Sequence, residues 1–306
     1  MHRGSEFVAR CLCVALGAVA RVPPALAKLD ASALNRLWAQ LAVSGKKSAK
    51  PGGVPQGLSA KSVENVAMTV HRLLRDAVRW GRIPKSPADM ADPPKRSATH
   101  RPIKAWTVDT VRSFLELTRD DVEWPLWVLL STSGLRRGEA LGLRWSDVDL
   151  DVGRAQVVQT VTAIGWQIHI GQPKTQAGKR PVALDPLTVG VLRDHREALI
   201  ASGRNASEGL LFSDHDGGPV HPERMYQAFK RAVIRHKLPR IPLHGLRHTW
   251  ATIALQSGVH PRVVQERLGH SNIAITLQTY SHVLPTMHDE AAVTVAALFM
   301  PDRRAS

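Results

Sequence analysis

Between Leu243 and Tyr280 the chain reads LHGLRHTWATIALQSGVHPRVVQERLGHSNIAITLQTY. His244 and Arg247 stand three residues apart, His270 follows 23 after Arg247, and Tyr280 comes 10 later. Gly258 and Gly269 each close a run of helical spacing, so the stretch is expected to form three short helices with Tyr280 near the end of the last. His244 and Arg247 would share a helical face. Imidazoles, a guanidinium and a phenol gathered without a carboxylate make a poor core and a good seat for a phosphate, whose oxygens match the planar charged fork of arginine. A metal site is the competing chemistry, because His244 and His248 are four apart. The zinc-protease pattern needs a glutamate directly after the first histidine, where Gly245 stands, and no cysteine is near. His248, Thr249 and Trp250 are read as structural.

Upstream, STSGLRRGEALGLRWSDVDL at 131–150 puts Arg136 at the start of a helix. The free backbone N–H groups there would add to its hold on an anion. Glu139, three residues on, can keep that guanidinium in place. The motifs GLRRGE at Arg136, PKT at Lys174, HGLRHT from His244, LGHSN at His270 and TY at Tyr280, in this order and spacing, resemble those of the tyrosine recombinases, the phage integrase family. The resemblance is close over residues 100–295 and weak over 25–100. It implies a mainly α fold with a small antiparallel β-sheet (α+β), in which a helical DNA-binding domain precedes the catalytic domain. It also implies a site-specific recombinase of a phage or integrative element, with Arg136, Lys174, His244, Arg247, His270 and Tyr280 in the catalytic positions. The PKT context selects Lys174 over Lys179 as the mobile lysine of the family's hairpin. Tyr226, the other of the two tyrosines, lies among apolar residues and is read as packing, which leaves Tyr280 as nucleophile.

The division of labour among these residues is what that resemblance implies, together with the chemistry of the residue types. Breaking a DNA phosphodiester puts extra negative charge on the non-bridging oxygens, which two arginines can hold; Arg136 and Arg247 take that part. A protein nucleophile keeps the bond energy in a phosphotyrosine, so strands can be rejoined without ATP. A phenol of pKa near 10 needs a proton acceptor, here expected to be His244, with His270 contacting the phosphate or orienting Tyr280. Lys174 would give a proton to the departing 5′-oxygen. No cofactor and no metal is called for, because the arginines replace the metal's charge.

The elements that must position these groups can be read in outline. Residues 29–44 form an amphipathic helix capped by Asp30 or Ser32, and 45–57 a basic Gly/Pro-rich loop. A second helix, capped by Ser59 or Ser62 and ended by Gly81, carries the apolar stripe Val63, Val66, Val70, Leu73, Leu74, Ala77 and Val78. Lys61, Arg72, Arg75, Arg79 and Arg82 fall outside that stripe and are candidate DNA contacts. Residues 83–102 hold five prolines and are expected as a linker. The resulting plan is an unassigned segment 1–20, a helical core-type DNA-binding domain 21–100 and a catalytic domain 103–300. Within the latter, 155–184 is β-rich with turns at Gly165 and PKTQAGK, and helices are expected at about 186–201, 222–237 and 289–299.

The charge supports a polyanionic partner: 41 Lys+Arg against 26 Asp+Glu, net +15. Residues 1–100 carry 16 basic against 6 acidic residues, the remaining 206 carry 25 against 20. Cys11 and Cys13 are too close for an ordinary structural disulfide. CLCVALGAVA resembles an export signal, but Glu6 and Arg10 interrupt its approach, so a helix of the first domain or a shortened start is the expectation. No run is long enough to span a membrane. By resemblance, the partner is double-stranded DNA with specific recombination sites, engaged as a homotetramer, with a monomer or weak oligomer off DNA, accessory DNA-bending proteins and a cytoplasmic, nucleoid-associated location. The alternative is a shortened DNA-binding protein of the same family that cannot complete recombination.

Overall fold

The computed structural model describes residues 29–46, 56–93, 104–173, 175–204, 208–280, 296 and 299. The chain forms two compact units, residues 1–101 and 102–306. The fold is mainly α with small antiparallel sheets.

In the first unit, α1 (Ala31–Ser44) starts at Asp30, whose side chain accepts from the Ala33 N–H, and α2 (Ala60–Arg79) starts at Ser59, which accepts from Ser62. These caps satisfy donors that the first helical turn leaves free. Leu34, Trp38 and Leu41 of α1 pack on Val63, Ala67, Val70, Leu74 and Ala77 of α2. The expected linker differs from its observed conformation over its first part. Ile83, Ser86 and Ala88 are buried, and a 3₁₀ turn over Pro87–Met90 packs on both helices. Burial of two apolar side chains outweighs the extended preference of its prolines. Residues 94–103 of that stretch lie outside the described residues.

In the second unit, α3 (Val108–Leu117) is capped by Thr107, and α4 (Trp124–Ser133) is apolar on nearly all sides and correspondingly buried. Trp106, Phe114, Trp127 and Phe229 form the aromatic centre of the core, with ring centroids 5.1–6.3 Å apart. Short α5 (Arg137–Gly142) presses on the strand at Thr160–Ile164. A Cβ on Gly138 would fall 2.5 Å from the Val161 carbonyl oxygen. The β region is two pieces rather than one sheet. Strands β1 (Val148–Asp149), β2 (Arg154–Val157) and β5 (Arg180–Ala183) pair antiparallel in that order, while β3 (Thr160–Ile164) and β4 (Gln167–Gly171) form a separate hairpin turning at Gly165. Helices α6 (Pro186–Ala201) and α7 (Pro222–Arg235) follow.

The C-terminal stretch folds as α8 (Gly245–Gln256), α9 (Pro261–Leu268) and α10 (Ile273–Thr279). Helix α8 packs on α4, and α9 packs on α8, α10 and β5. A small apolar cluster of Ala251, Leu255, Val264, Leu268 and Tyr280 joins the three. Of the helix expected at 289–299, only Ala296 and Phe299 are described, both helical. Among the described residues no helix is long and apolar enough to cross a membrane.

Candidate active site

Arg136 ends the turn after α4 and enters α5 with extended backbone. Its Nη1 donates to Glu139 Oε1 at 2.7 Å, and its backbone N–H to Glu139 Oε2 at 2.9 Å. Its Nη2 donates to the Gly269 carbonyl at 3.4 Å, and the side chain stays 40% exposed, so part of the guanidinium edge is open to a ligand. Glu139 itself is buried and is gripped from the other side by Arg180, at 2.9 and 3.2 Å. Burial alone would raise the Glu139 pKa. The Arg180 hydrogen bonds and charge, with those of Arg136, outweigh it and hold the carboxyl below its ordinary value.

Arg247, on the first turn of α8, is buried and donates to the carbonyls of Gly134 at 2.9 Å and Leu268 at 2.6 Å. Burial, then the neighbouring Arg136 charge, pushes its pKa down to about 9, which still leaves it charged at neutral pH. His244 is the N-cap of α8, and its ring meets His248 edge-on with centroids 4.8 Å apart. It keeps an exposed edge, yet crowding by protein atoms, then His248, Arg247 and Arg136, pushes its pKa down to about 4. His270 follows the α9 C-cap Gly269, shares a hydrogen bond between Nδ1 and Thr276 Oγ1 at 2.8 Å, and is likewise pushed to about 4 by burial and then Arg247 and Arg136. Tyr280 caps the C-terminus of α10, is 1% exposed, and is pushed up to about 12 by burial against an opposing pull from Arg247.

Five of the six expected catalytic positions, Arg136, His244, Arg247, His270 and Tyr280, therefore converge around the start of α8. Lys174 lies outside the described residues; Lys179 beside it is exposed. One contact falls outside the expected roles. The hydroxyl of Tyr280 meets His248 Nδ1 at 2.9 Å, rather than His244. Position 248 is one helical turn further along α8, level with the end of α10, whereas His244 sits at the helix mouth. Arg180 was also missed. It is 7% exposed and donates to Glu139, to the Gly178 carbonyl and, at 2.6 Å, to the Arg267 carbonyl, so it ties the lysine loop to Arg136's partner and to the end of α9.

Gly269 is where these groups crowd together. Its φ is +63°, and a Cβ there would sit 2.7 Å from both the Ala177 carbonyl oxygen and Arg180 Nη1. Gly269→Ala is expected to destabilise the second unit by about 1–3 kcal/mol, read as a lower denaturant midpoint.

In the first unit, Lys61, Arg72, Arg75, Arg79 and Arg82 are all exposed. Lys61 pairs with Glu64 at 3.0 Å and Arg79 with Asp76 at 3.4 Å, whereas Arg72, Arg75 and Arg82 have no ion-pair partner among the described residues. Arg72, Arg75 and Arg79 line an open groove of about 1020 Å³ with Met68 and His71.

A fold of helices around a small antiparallel sheet, with arginines, histidines and a tyrosine at the helix junction, defines the class of tyrosine-type site-specific recombinases. The phage integrase family model matches residues 122–287, and the chain is 28% identical over 268 residues to a XerC-like tyrosine recombinase of Caldanaerobacter subterraneus, covering 80% of this chain and 68% of that one. It is 25% identical to the ICEBs1 integrase of Bacillus subtilis, covering 77% and 65%. The chain thus spans about two thirds of the length of these relatives. Two solved structures share the fold. One is the Tn1549 transposon integrase in complex with transposon right end DNA, at TM-score 0.71 and 22% identity over 94% of this chain and 92% of that one. The other is a lambda integrase dimer bound to a core site, at TM-score 0.62 and 17% identity over 92% and 89%. The chain belongs to the phage integrase family and is an enzyme, a tyrosine-type site-specific DNA recombinase.

Proposed function

We propose that the protein cuts and rejoins double-stranded DNA at specific sites through a 3′-phosphotyrosine on Tyr280, with neither metal nor ATP, in the service of a mobile element. The observation that carries this reading is the convergence of Arg136, Arg247, His244, His270 and Tyr280 from three separate parts of the sequence. Arg136 and Arg247 hold the non-bridging oxygens of the scissile phosphate, in the role a metal ion plays elsewhere. His244 and His270 lie close enough to both guanidiniums to feel their charge. They are neutral in the free protein, and each can donate one ring N–H to the phosphate. Lys174 protonates the departing 5′-oxygen.

The exposed arginines of α2 and Arg82 contact the phosphate backbone of the DNA, and exchange between two duplexes calls for four such sites, hence a homotetramer on DNA. The solved relatives bound to DNA support this partner. The test is covalent trapping on a nicked substrate drawn from DNA flanking the gene, in excess chelator. A denaturation-resistant adduct on a 3′-phosphate is expected. Salt-sensitive binding with no adduct would replace this reading with that of a shortened DNA-binding protein.

A further inference from the structure

We propose that His248 is the catalytic base of the reaction, the group that receives the proton of Tyr280 as its oxygen attacks phosphorus. This rests on the reading of Tyr280 as nucleophile. The hydroxyl of Tyr280 and Nδ1 of His248 are 2.9 Å apart, a hydrogen bond in place before any substrate arrives. The neighbouring histidines are otherwise disposed. His270 Nδ1 is taken by Thr276 Oγ1, and the His244 ring backs edge-on against His248, fixing the imidazole between two aromatic rings. His248 also sits one residue after Arg247 on a packed helix, so the base and the phosphate clamp share one rigid support.

The charge state suits the role. The titratable groups around His248 are His244 and Arg247 on its own helix, His270 beyond α9 and Tyr280 at the end of α10. Burial, then Arg247, pushes the His248 pKa down, which keeps the imidazole neutral with a free lone pair at neutral pH. That lone pair on Nδ1 accepts the phenol, which leaves the ring hydrogen on Nε2. In the cleavage step the Tyr280 O–H bond breaks and an N–H bond forms on His248. The phenolate electron pair makes the new P–O bond. The bond to the 5′-oxygen breaks, and that oxygen leaves with the electron pair and takes a proton from Lys174. Rejoining runs the same steps backward, with the His248 imidazolium returning its proton to Tyr280. Arg247 supports the phenolate throughout, since its charge already opposes the rise in the Tyr280 pKa.

The experiment compares single-turnover cleavage of a nicked substrate by wild type, Tyr280→Phe, His248→Asn and His248→Gln, with DNA affinity and thermal unfolding measured on each. Asn places a carbonyl oxygen near Nδ1, so it keeps the hydrogen bond to Tyr280 but cannot take the proton. Cleavage by the His248 variants is expected to fall about 10²–10⁴-fold with DNA affinity unchanged. Their residual rate should climb with pH as the phenol ionises unaided, a recovery that a packing defect would not show. If a folded Asn or Gln variant cleaves within threefold of wild type, or its deficit is the same at every pH, His248 is not the base. If wild type itself forms no adduct, or Tyr280→Phe still does, the failure lies instead with the reading of Tyr280.

Discussion

Tyr280→Phe is expected to give a folded, DNA-binding protein whose covalent adduct with nicked DNA falls by on the order of 10⁴–10⁶-fold, which is to say below detection. The size of the loss follows from the role: without the phenol no bond to phosphorus forms, and water cannot store the phosphoryl bond for rejoining. The fold should tolerate the change because the Tyr280 ring is the buried part. It is 1% exposed and packs with Ala251, Leu255, Val264 and Leu268, contacts that Phe retains. What disappears is one hydrogen bond to His248, about 0.5–1.5 kcal/mol. Gel analysis after denaturation reads the adduct, and a salt titration of binding shows that DNA contact survives. Tyr226→Phe is the control. Half-buried on α7, it should cleave within threefold of wild type. Loss of the adduct in Tyr226→Phe with its survival in Tyr280→Phe would exchange the two assignments.

The parts of the molecule that local rules govern were legible in the residues. Ser59 and Asp30 cap their helices because short polar side chains there satisfy free N–H groups, and the α2 stripe buries because its spacing follows the helical period. Arg136 and Glu139 were paired correctly because three residues on one short helix leave few other geometries. What was not legible lies where partners are far apart in sequence. Arg180 follows a lysine in a Gly-containing loop and reads as solvated, but its carboxylate lies 41 residues upstream. Nothing local announces that contact. By type alone His248 is one of four histidines within 27 residues and carries no distinguishing mark. Only the approach of α10 to α8 decides which of them meets the phenol, and that approach is made by the apolar cluster of Leu255, Val264 and Leu268. The separate β3–β4 hairpin was likewise hidden, since alternation reports that a strand has two faces and not which strand it pairs with.

Glu139→Gln is expected to lower the stability of the second unit by about 3–5 kcal/mol, because it leaves the Arg180 guanidinium buried and uncompensated. In a unit of this size each kcal/mol moves Tm by roughly 2–4 °C. The pH dependence identifies the cause. The folded pKa of Glu139 is lowered, so its ionised form stabilises the fold above the unfolded carboxyl value, near 4.3, and that contribution fades as pH falls through the lowered folded value. The gap between wild type and Glu139→Gln should therefore be full at pH 6–7 and narrow toward pH 3. A gap that stays constant with pH would mean lost packing rather than lost charge pairing. Stability and activity then separate in the double variant Glu139→Leu with Arg180→Met. Replacing a buried ion pair by apolar residues of similar volume is neutral to stabilising, but the Gly178 and Arg267 carbonyls lose their Arg180 donor, so its Tm should recover most rather than all of the loss. Its cleavage rate should not return, because Arg136 has lost the carboxylate that fixes Nη1 at 2.7 Å and the backbone anchor beside it. A misplaced phosphate clamp costs on the order of 10²-fold in rate even when the fold is intact. Recovery of both Tm and cleavage in the double variant would make Glu139 a purely structural counterion, and Arg136 would then be positioned by the turn at Gly134 and its contact with the Gly269 carbonyl.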